Sequence, residues 1–281
     1  MPRPIMQRMS ALGVAAAVAT MGTALAPASY AGDAAAPARR AAHWQAGELT
    51  GGLIHNDQFD VDDYGLTIDS LFALDAAKVA PKKRHRIVRA LRGNVGSYVG
   101  DGSGGTYAGA VAKMLVAAEA ARAKPRAFGG VNLVKRTRSL IDDAGADKGR
   151  LKDDVTGGSD FSNLIGQGYA LQGLAATHAA VPSVKRFLLK QQCAAGYFRI
   201  SYNDATTNPK LRCATAKPKN RAPDLDATAL AVAAMTSARH DGVAGLRKPI
   251  AKAARWLHRK QRANGAFRAG TPAAANANST G

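Results

Sequence analysis

The fold is decided by two copies of one phrase, Arg186-Phe-Leu-Leu-Lys-Gln-Gln-Cys-Ala-Ala-Gly-Tyr-Phe-Arg199 and Arg255-Trp-Leu-His-Arg-Lys-Gln-Arg-Ala-Asn-Gly-Ala-Phe-Arg268. The copies lie 69 residues apart, and Arg, Leu, Gln, Ala, Gly, Phe and Arg recur in the same register. A repeated unit of this length indicates stacked supersecondary repeats, none of which can bury its apolar face alone. The fold is therefore predicted from the repeat.

Apolar periodicity and capping signals divide the chain into paired helices. The first helix of each pair carries Lys or Arg on one face, and the five are expected at 41–49, 82–98, 131–141, 183–192 and 247–262. The second helices are richer in Ala and Leu, and four are expected at 63–76, 106–121, 160–179 and 226–238. Each begins at a residue suited to N-capping: Asp63, Thr106, Asp160 and Asp226.

This arrangement predicts an all-α fold, an α/α toroid of about five stacked hairpins, of which the last is incomplete. The basic first helices are expected to face solvent and the small-residue second helices to line the inside. Gly196 and Gly265 suit the turn between the layers, and Phe198 and Phe267 are expected to plug between neighbouring helices. The Gln four residues before each glycine is expected to lock adjacent hairpins.

The N-terminus predicts a cleavable signal peptide at residues 1–31. Arg3 and Arg8 precede an apolar run, and small residues at positions 29 and 31 fit a cleavage site. A membrane anchor is the alternative, but the run is short and rich in Ala and Gly. The protein is thus expected to be secreted or extracytoplasmic, with a flexible leader at 32–40, one repeat domain at 41–281 and no transmembrane segment after cleavage.

The two cysteines, Cys193 and Cys213, are an even pair in an exported chain, which favours a disulfide. Two free thiols, or one metal ligand from each, are the alternatives. No further Cys or His stands at ligand spacing, so neither a zinc site nor a cofactor is expected. The bridge would clip the loop at 199–221 and restrict the unfolded chain by about 3 kcal/mol.

The net charge is strongly positive. It is +19 at pH 7, and removal of residues 1–31, which contain two arginines and no acid, leaves +17. Basic residues cluster at 82–92, 210–221 and 247–268. Such a field attracts polyanions, so anionic cell-envelope polymers or lipid headgroups are the expected partners. Nucleic acid is not expected, because stacking aromatics are not interleaved with the basic residues. A solvated outer helix face is the alternative reading.

The Gln-x3-Gly-x-Phe phrase resembles the QW-type repeat of the terpenoid cyclase and protein prenyltransferase superfamily, whose members form α/α toroids. The stretches Gly51-Gly-Leu-Ile-His-Asn-Asp-Gln-Phe-Asp-Val-Asp-Asp-Tyr-Gly-Leu-Thr-Ile-Asp69 and Asp224-Leu-Asp-Ala-Thr-Ala229 narrow the resemblance to secreted bacterial prenyltransferase/squalene oxidase repeat-containing proteins. The resemblance covers essentially all of 41–281. It implies the toroid and a central cavity for a small ligand, whereas many such toroids have no assigned chemistry.

One acidic phrase, Asp60-Val-Asp-Asp63, matches the Asp-x-Asp-Asp signature of class II terpene cyclases. By this resemblance Asp62 is the candidate general acid, which must be held protonated by neighbouring carboxylates. The chemistry also needs aromatic faces that stabilise carbocations, and only 6% of the residues are aromatic. Acids at helix starts are equally explained by N-capping. No residue is therefore assigned as catalytic.

Acidic residues converge on the N-terminal end of the second helices, which leaves two further functions open. Paired carboxylates could serve a glycan-active hydrolase, whose mechanism depends on their separation. The same acids could grip a cationic or polyhydroxy ligand, although their spacing does not match a calcium-binding loop and no metal is expected. The candidate ligand-binding rim consists of His55, Asp57, Asp60, Asp62, Asp63, Asp160, Asp224 and Asp226.

The favoured hypothesis is a non-catalytic toroid that binds a small ligand in its cavity or associates with the cell envelope. A terpenoid cyclase-like or prenyltransferase-like enzyme is the first alternative, and a glycan-active hydrolase is the second. An aromatic cavity that reaches Asp62 would favour the cyclase, whereas a ring lined by small residues would favour binding.

Overall fold

The computed structural model describes residues 28–100, 102–155, 157–202, 207–269 and 274–275, and over these residues the chain is mostly helical. Short 3-10 helices occur at Pro125–Ala127, Cys213–Thr215 and Pro218–Asn220. In chain order the α-helices are α1 (Ala28–Gly47), α2 (Tyr64–Ala76), α3 (Pro81–Gly93), α4 (Val95–Val99), α5 (Ala108–Ala120), α6 (Leu133–Ser139), α7 (Leu164–Ala176), α8 (Pro182–Lys190), α9 (Leu225–His240) and α10 (Arg247–Lys260).

The helices form two layers. In the inner layer α2, α5, α7 and α9 follow one another, and each packs against the next. In the outer layer α3 packs on α2, α6 on α5, α8 on α7 and α10 on α9, while α1 also packs on α2. The predicted stacking of helical hairpins in sequence order is therefore confirmed, and closure into a toroid stays a prediction.

The inner helices are almost uniformly apolar and rich in small residues, whereas the outer helices have an apolar stripe and a basic face. In α10, for example, Ala253 and Trp256 are buried, and Arg255 and Arg259 are exposed. A helix covered on most sides needs apolar residues all round, whereas a surface helix needs only one apolar stripe. The sequence difference between the two classes of helix thus follows from their layers.

A repeated side-chain hydrogen bond, called the polar lock below, joins inner helices to the loops that precede them. In three inner helices the fourth residue after the N-cap accepts a hydrogen bond from a backbone N–H of the preceding loop. The bonds run from Ile54 to Thr67 (2.9 Å), from Leu151 to Gln167 (2.8 Å) and from Phe198 to Thr228 (2.9 Å). Because all three acceptors are buried, the lock satisfies loop amides that water does not reach.

A glycine with positive φ stands two residues before each of these amides, at Gly52, Gly149 and Gly196. At Gly196 φ is +112°, and an added Cβ would lie 2.6 Å from the Lys252 carbonyl oxygen of α10. At Gly149 φ is +92°, and the corresponding distance to the Ser183 carbonyl oxygen of α8 is 2.1 Å. The repeat is therefore a Gly-x-apolar phrase pressed against an outer helix, and it occurs more often than the two Gly-x-Phe copies alone predict.

The predicted glutamine lock is present where both partners are described. Gln192 donates from Nε2 to the Gly196 carbonyl (3.0 Å) and to the Pro249 carbonyl of α10 (3.0 Å), so it ties two outer helices together. Gln261 makes the matching bond to the Gly265 carbonyl at 3.0 Å. Phe198 is fully buried, as the repeat predicts.

Of the four predicted N-caps, Asp63 is confirmed, and Asp226 needs only a small correction. Asp63 is the N-cap of α2, and its Oδ1 accepts from the Leu66 amide at 2.7 Å. The N-cap of α9 is Asp224 and not Asp226, since Asp224 Oδ1 accepts from the Ala227 amide at 2.7 Å.

The other two predicted caps are wrong. Helix α7 begins after Asn163, whose side chain accepts from two amides of the first turn, because Asp160 is engaged in the preceding loop. Helix α5 begins at Ala108 and not at Thr106, and its first amide donates to Asp153 Oδ1 at 2.7 Å. A carboxylate 45 residues along the chain supplies this cap, so local sequence could not predict it.

Short strands accompany the helices, although the sequence predicted an all-α fold. Strands β1 (Leu49–Thr50), β2 (Leu53–Asn56) and β3 (Val61–Asp63) form an antiparallel sheet, which places His55 opposite Asp62. A second antiparallel pair joins β4 (Arg268–Ala269) to β5 (Ala274–Ala275). The helix predicted for 82–98 is also divided in two, because α3 ends before Asn94 and α4 follows it.

Cys193 and Cys213 form the predicted disulfide, with their Cα atoms 5.1 Å apart. Arg199 is 1% exposed in the loop that the bridge closes, and its Nε donates to the Gln191 side chain at 3.0 Å. Gln191 in turn donates to the Leu211 carbonyl at 2.9 Å. The bridge and these bonds hold the basic loop against the end of α8.

The helices within the described residues are each too short or too polar to cross a bilayer. Most of the predicted signal peptide, residues 1–27, lies outside the described residues and stays a prediction. Helix α1 includes 32–40, the predicted leader, and the side chains from Ala35 to Arg40 are exposed. The leader is therefore helical where the sequence predicts irregular chain.

Candidate functional site

The four inner helices present matching positions to one pocket of about 290 Å³. The N-caps of these helices are Asp63, Tyr107, Asn163 and Asp224. The residue nine positions after each cap lines the pocket, so equivalent positions of the four helices border one space. These residues are Phe72, Val116, Gln172 and Ala233. The remaining lining residues are Asp75, Ala76, Lys78, Ala120, Ile165, Gly168, Tyr169, Leu230 and Ala234.

Small residues allow the inner helices to pack closely beside the pocket. A Cβ added at Gly166 of α7 would lie 2.9 Å from the Gly109 Cα of α5. This distance is shorter than a normal Cβ contact, so a side chain at position 166 would force the backbones apart. A Cβ added at Gly168 would lie 3.3 Å from the Ala234 methyl of α9, which is also a tight contact. Close backbone approach at these positions sets the spacing of the helices, and larger residues elsewhere on the row leave the pocket between them.

The pocket walls are mainly apolar, with polar groups at the margin. The rings of Phe72 and Tyr169, which both line the pocket, lie 6.5 Å apart with an interplanar angle of 35°. Gln172 presents an amide to it. Asp75 is ion-paired with Arg84 of α3 and lies 3.3 Å from Lys78 Nζ. The lining thus includes Asp75 and Lys78 from a cluster of one carboxylate and two cations, and an uncharged hydrogen-bonding residue.

A buried ion pair lies beneath the Tyr169 ring. Asp69 and Lys113 stand six positions after their N-caps, as Tyr169 does after its own, and they are 2% and 5% exposed. Lys113 Nζ lies 2.7 Å from Asp69 Oδ1 and donates to the Gly65 carbonyl at 3.0 Å. The same ammonium group is 5.9 Å from the centre of the Tyr169 ring. Charge from two helices is therefore concentrated under an aromatic wall of the pocket.

The ionisation of this cluster is set by its burial. Burial raises the pKa of Asp69 above its ordinary value, and the Lys113 ammonium opposes the rise. Burial also raises the pKa of the Tyr98 and Tyr169 hydroxyls, and the negative charge of Asp69 adds to both rises. Both phenols therefore stay protonated and remain hydrogen-bond donors. Perturbed groups beside a cleft are typical of functional sites, although structural ion pairs perturb pKa values as well.

The candidate rim residues of the first hairpin cluster around His55. Its Nε2 lies 3.3 Å from Asp60 Oδ1 and 3.9 Å from Asp57 Oδ1, while Nδ1 lies 3.7 Å from Asp62 Oδ1. The side chains of Asp57 and Asp60 are 99% and 97% exposed, so solvent weakens their interaction with the imidazole. The β2–β3 hairpin brings these four residues together at the surface, and none of them lines the pocket.

The other candidate rim residues serve the ends of the inner helices. Asp63 and Asp224 are N-caps, and Asp226 lies in the first turn of α9. Asp160 is ion-paired with Arg150 and accepts from the Asp153 and Ser162 amides at 3.3 and 3.0 Å. Within the described ranges, no group of three His, Cys, Asp or Glu side chains is arranged to hold a metal ion.

Asp69 and Lys113 were not predicted as site residues, although each has a visible signal in the sequence. Each is a charged residue within an apolar inner helix, six positions after the start. Their pairing depends on the relative register of α2 and α5, which single-helix patterns do not contain.

Comparison with protein-family models, curated proteins and solved structures finds no significant match to this chain.

Proposed function

We propose that the protein is a non-catalytic binding module that holds a small, mainly apolar molecule between its inner helices. The observation that carries the proposal is the pocket of about 290 Å³ to which all four inner helices contribute. Ligand sites typically have volumes of roughly 300 to 1,000 Å³ and combine apolar walls with a few polar groups. The pocket volume of about 290 Å³ lies just below that range, and the lining has that chemistry.

The lining favours a ligand with a flat or slender apolar body and one polar group. Phe72 and Tyr169 offer ring faces, and Ala120, Ala233 and Ala234 offer walls without bulk. Burial of apolar ligand surface stabilises the complex by about 25 cal/mol per Å² before ordering costs. The Gln172 amide is the polar lining group best suited to orient such a ligand, because Asp75 is already ion-paired.

The position of the acidic phrase favours binding over the cyclase alternative. A general acid must reach the reacting atom, whereas Asp60, Asp62 and Asp63 are absent from the pocket lining. The Asp62 side chain is 50% exposed beside His55 on the β2–β3 hairpin, whereas the chemistry of a cyclase requires a site from which water is excluded. The hydrolase alternative is disfavoured in a similar way, because Asp63 and Asp224 are committed to capping helix amides.

The resemblance to α/α toroids belongs to the proposal as its architectural part. Parallel inner helices with caps at one end and a shared central space support a toroid or an arc of one. The disulfide and the predicted signal peptide support a location outside the cytoplasm, where such bridges persist. A binding module of this kind would meet its ligand in the cell envelope or the medium.

A neutral fluorescent probe, N-phenyl-1-naphthylamine, tests the proposal without an electrostatic contribution from the basic surface. We expect fluorescence to rise and saturate at one probe per chain. Ala233→Phe fills the pocket and should weaken binding at least about tenfold, as loss of a few kcal/mol of apolar burial requires. Ala41→Phe adds the same side chain at an exposed position of α1 and should bind like the wild type.

Equal probe binding by wild type and Ala233→Phe would overturn the proposal, as would the absence of saturable binding. Circular dichroism of both variants establishes that each remains folded. If Ala233→Phe unfolds, Ala120→Phe closes the pocket from α5 and replaces it in the same comparison.

A further inference from the structure

Most of the basic residues in the helices of the two layers lie in the outer helices. Helices α3, α6, α8 and α10 contain six, three, three and six Lys or Arg residues, and none of them contains Asp or Glu. The inner helices α2, α5, α7 and α9 contain two such basic residues, Lys113 and Arg239. Since each outer helix packs on an inner helix, the basic side chains lie away from the pocket.

The first and last of these helices carry the same basic stripe. In both α3 and α10, basic residues stand two, six and nine positions after the N-cap, a spacing that places them on one face. The stripe residues are Lys82, Arg86 and Arg89 in α3, and Lys248, Lys252 and Arg255 in α10. Five of the six are exposed, and Lys252 is partly exposed.

These charges are not neutralised within the protein. Among the described residues, no carboxylate lies within ion-pair distance of any basic side chain of α10, and in α3 the paired residue is Arg84, which meets Asp75 outside the stripe. Uncompensated like charges on one face repel one another and lower stability. A polyanion that spans the face removes that repulsion, so the stripe is complementary to a ligand with repeated negative charges.

We propose that the basic stripes of α3 and α10 dock a linear polymer that carries phosphate groups. Arg side chains bind phosphate through paired N–H donors, and Lys side chains add strongly hydrated point charges. Stripes with charges one helical turn apart match a chain with phosphates at regular intervals. This docking surface is separate from the pocket, and neither proposal depends on the other.

Two other anionic partners fit the surface less well. A membrane-bound helix buries apolar side chains beside its charges, but the exposed large apolar residues lie elsewhere, at Trp44, Phe59, Val61 and Phe161. The tryptophan of α10, Trp256, is 5% exposed. Single-stranded nucleic acid is usually held by stacking on exposed aromatics, which the stripes lack. A flexible phosphate polymer requires neither feature.

The test measures binding of long-chain inorganic polyphosphate by calorimetry at several salt concentrations. The variant Lys248→Gln/Lys252→Gln/Arg255→Gln removes three charges from the α10 stripe. Its matched control, Lys210→Gln/Lys217→Gln/Lys219→Gln, removes three exposed charges from the basic segment at 210–221. We expect the stripe variant to bind at least about tenfold more weakly and to reduce the logarithmic salt slope by about two. The control should bind within about twofold of the wild type.

Equal losses in the two variants would overturn the proposal, because binding would then follow net charge alone. Tighter binding of phosphatidylglycerol vesicles or of single- or double-stranded DNA, compared at equal phosphate concentration, would overturn the choice of partner. Urea unfolding establishes that the variants are folded. If the α10 variant is not, Lys82→Gln/Arg86→Gln/Arg89→Gln on α3 must show the same loss.

Discussion

Asp69 and Lys113 carry opposite charges into the interior, where each loses most of its hydration. The ion pair has a 2.7 Å contact and one further bond to the Gly65 carbonyl. Buried pairs of this kind often stabilise a protein no better than apolar residues of similar size, whereas removal of one partner leaves an uncompensated charge. We expect that the pair fixes the register of α2 against α5 under the pocket.

A double-mutant cycle tests this account of the pair. We expect Asp69→Leu and Lys113→Met each to lower the unfolding free energy by about 3–5 kcal/mol, because each leaves a charge buried alone. The double variant should recover most of that loss, since no charge remains to be desolvated. Urea unfolding measures all four proteins. A double variant as unstable as the sum of the single variants would contradict the expectation.

Opposing effects act on the pKa of the Asp224 carboxyl group. Burial raises its pKa, the Ala227 amide opposes the rise, and the charge of Asp226 adds to it. Since the folded-state pKa lies above the ordinary 3.8, the folded protein holds this proton more tightly than the unfolded chain does. The stabilisation from this group is fully present below pH 3.8 and is lost as the pH rises through the folded-state pKa.

Asp224→Asn keeps a good N-cap oxygen and removes the titration. We expect the unfolding free energy of the wild type, relative to this variant, to fall as the pH rises from 3.8 through the raised folded-state pKa. Urea unfolding at several pH values measures the difference. A wild-type advantage that grows with pH would mean that the helix N-terminus stabilises the carboxylate by more than burial destabilises it.

At the residue scale, sequence predicted what depends on local pattern. Asp63 as a cap and the pairing of the two cysteines both follow from composition and position, and both are confirmed. The Asp69–Lys113 pair was missed because its contact joins residues 44 positions apart on different helices. Asp153 was likewise unpredictable as the cap of α5, since tertiary folding brings it there.

At the element scale, the lock between an inner helix and its loop is the unit that repeats. Gln167 is fully buried, and its side chain accepts from the Leu151 amide and donates to the Gly149 and Val184 carbonyls. These bonds join α7 to the preceding loop and to α8. The lock places the Gly-x-apolar phrase against the outer helix and so orients the hairpin.

We expect Gln167→Ala to lower the unfolding free energy by about 3 kcal/mol or more, because three buried backbone groups lose their partners. Gln172→Ala on the same helix is the matched control and should change stability by about 0.5 kcal/mol or less, because its side chain faces the pocket. Chemical denaturation of both variants measures the contrast. Equal effects would show that Gln167 has no special structural role.

The types of the secondary-structure elements were predicted more accurately than their boundaries. Strong periodicity and Gly-Phe signals identified the helix pairs, whereas helix starts failed where two polar residues competed for one cap. Asp160 and Asn163 illustrate the failure: both can cap, but Arg150 engages Asp160 and leaves Asn163 for α7. The strand at Leu53–Asn56 was missed because its partners are only a few residues long.

At the scale of the whole molecule, the two proposed functions use different sides of the inner helices. One side presents the mainly apolar pocket, and the outer helices present the basic stripes. A protein built this way could stay attached to a polyanion through α3 and α10 while its pocket takes up a ligand. The sequence predicted both the positive charge and a cavity, but the packing of the inner helices against one another decides which residues line the space.

The central claim is that the four inner helices enclose one binding site, and methyl NMR during titration with N-phenyl-1-naphthylamine tests it most directly. The account predicts that the methyl signals of Val116, Ala120, Leu230 and Ala233 shift together and saturate at one equivalent. The methyl of Ala253, buried on α10 away from the pocket, should keep its position. Shifts confined to outer-helix methyls, or no saturable shift in the pocket methyls, would contradict the account.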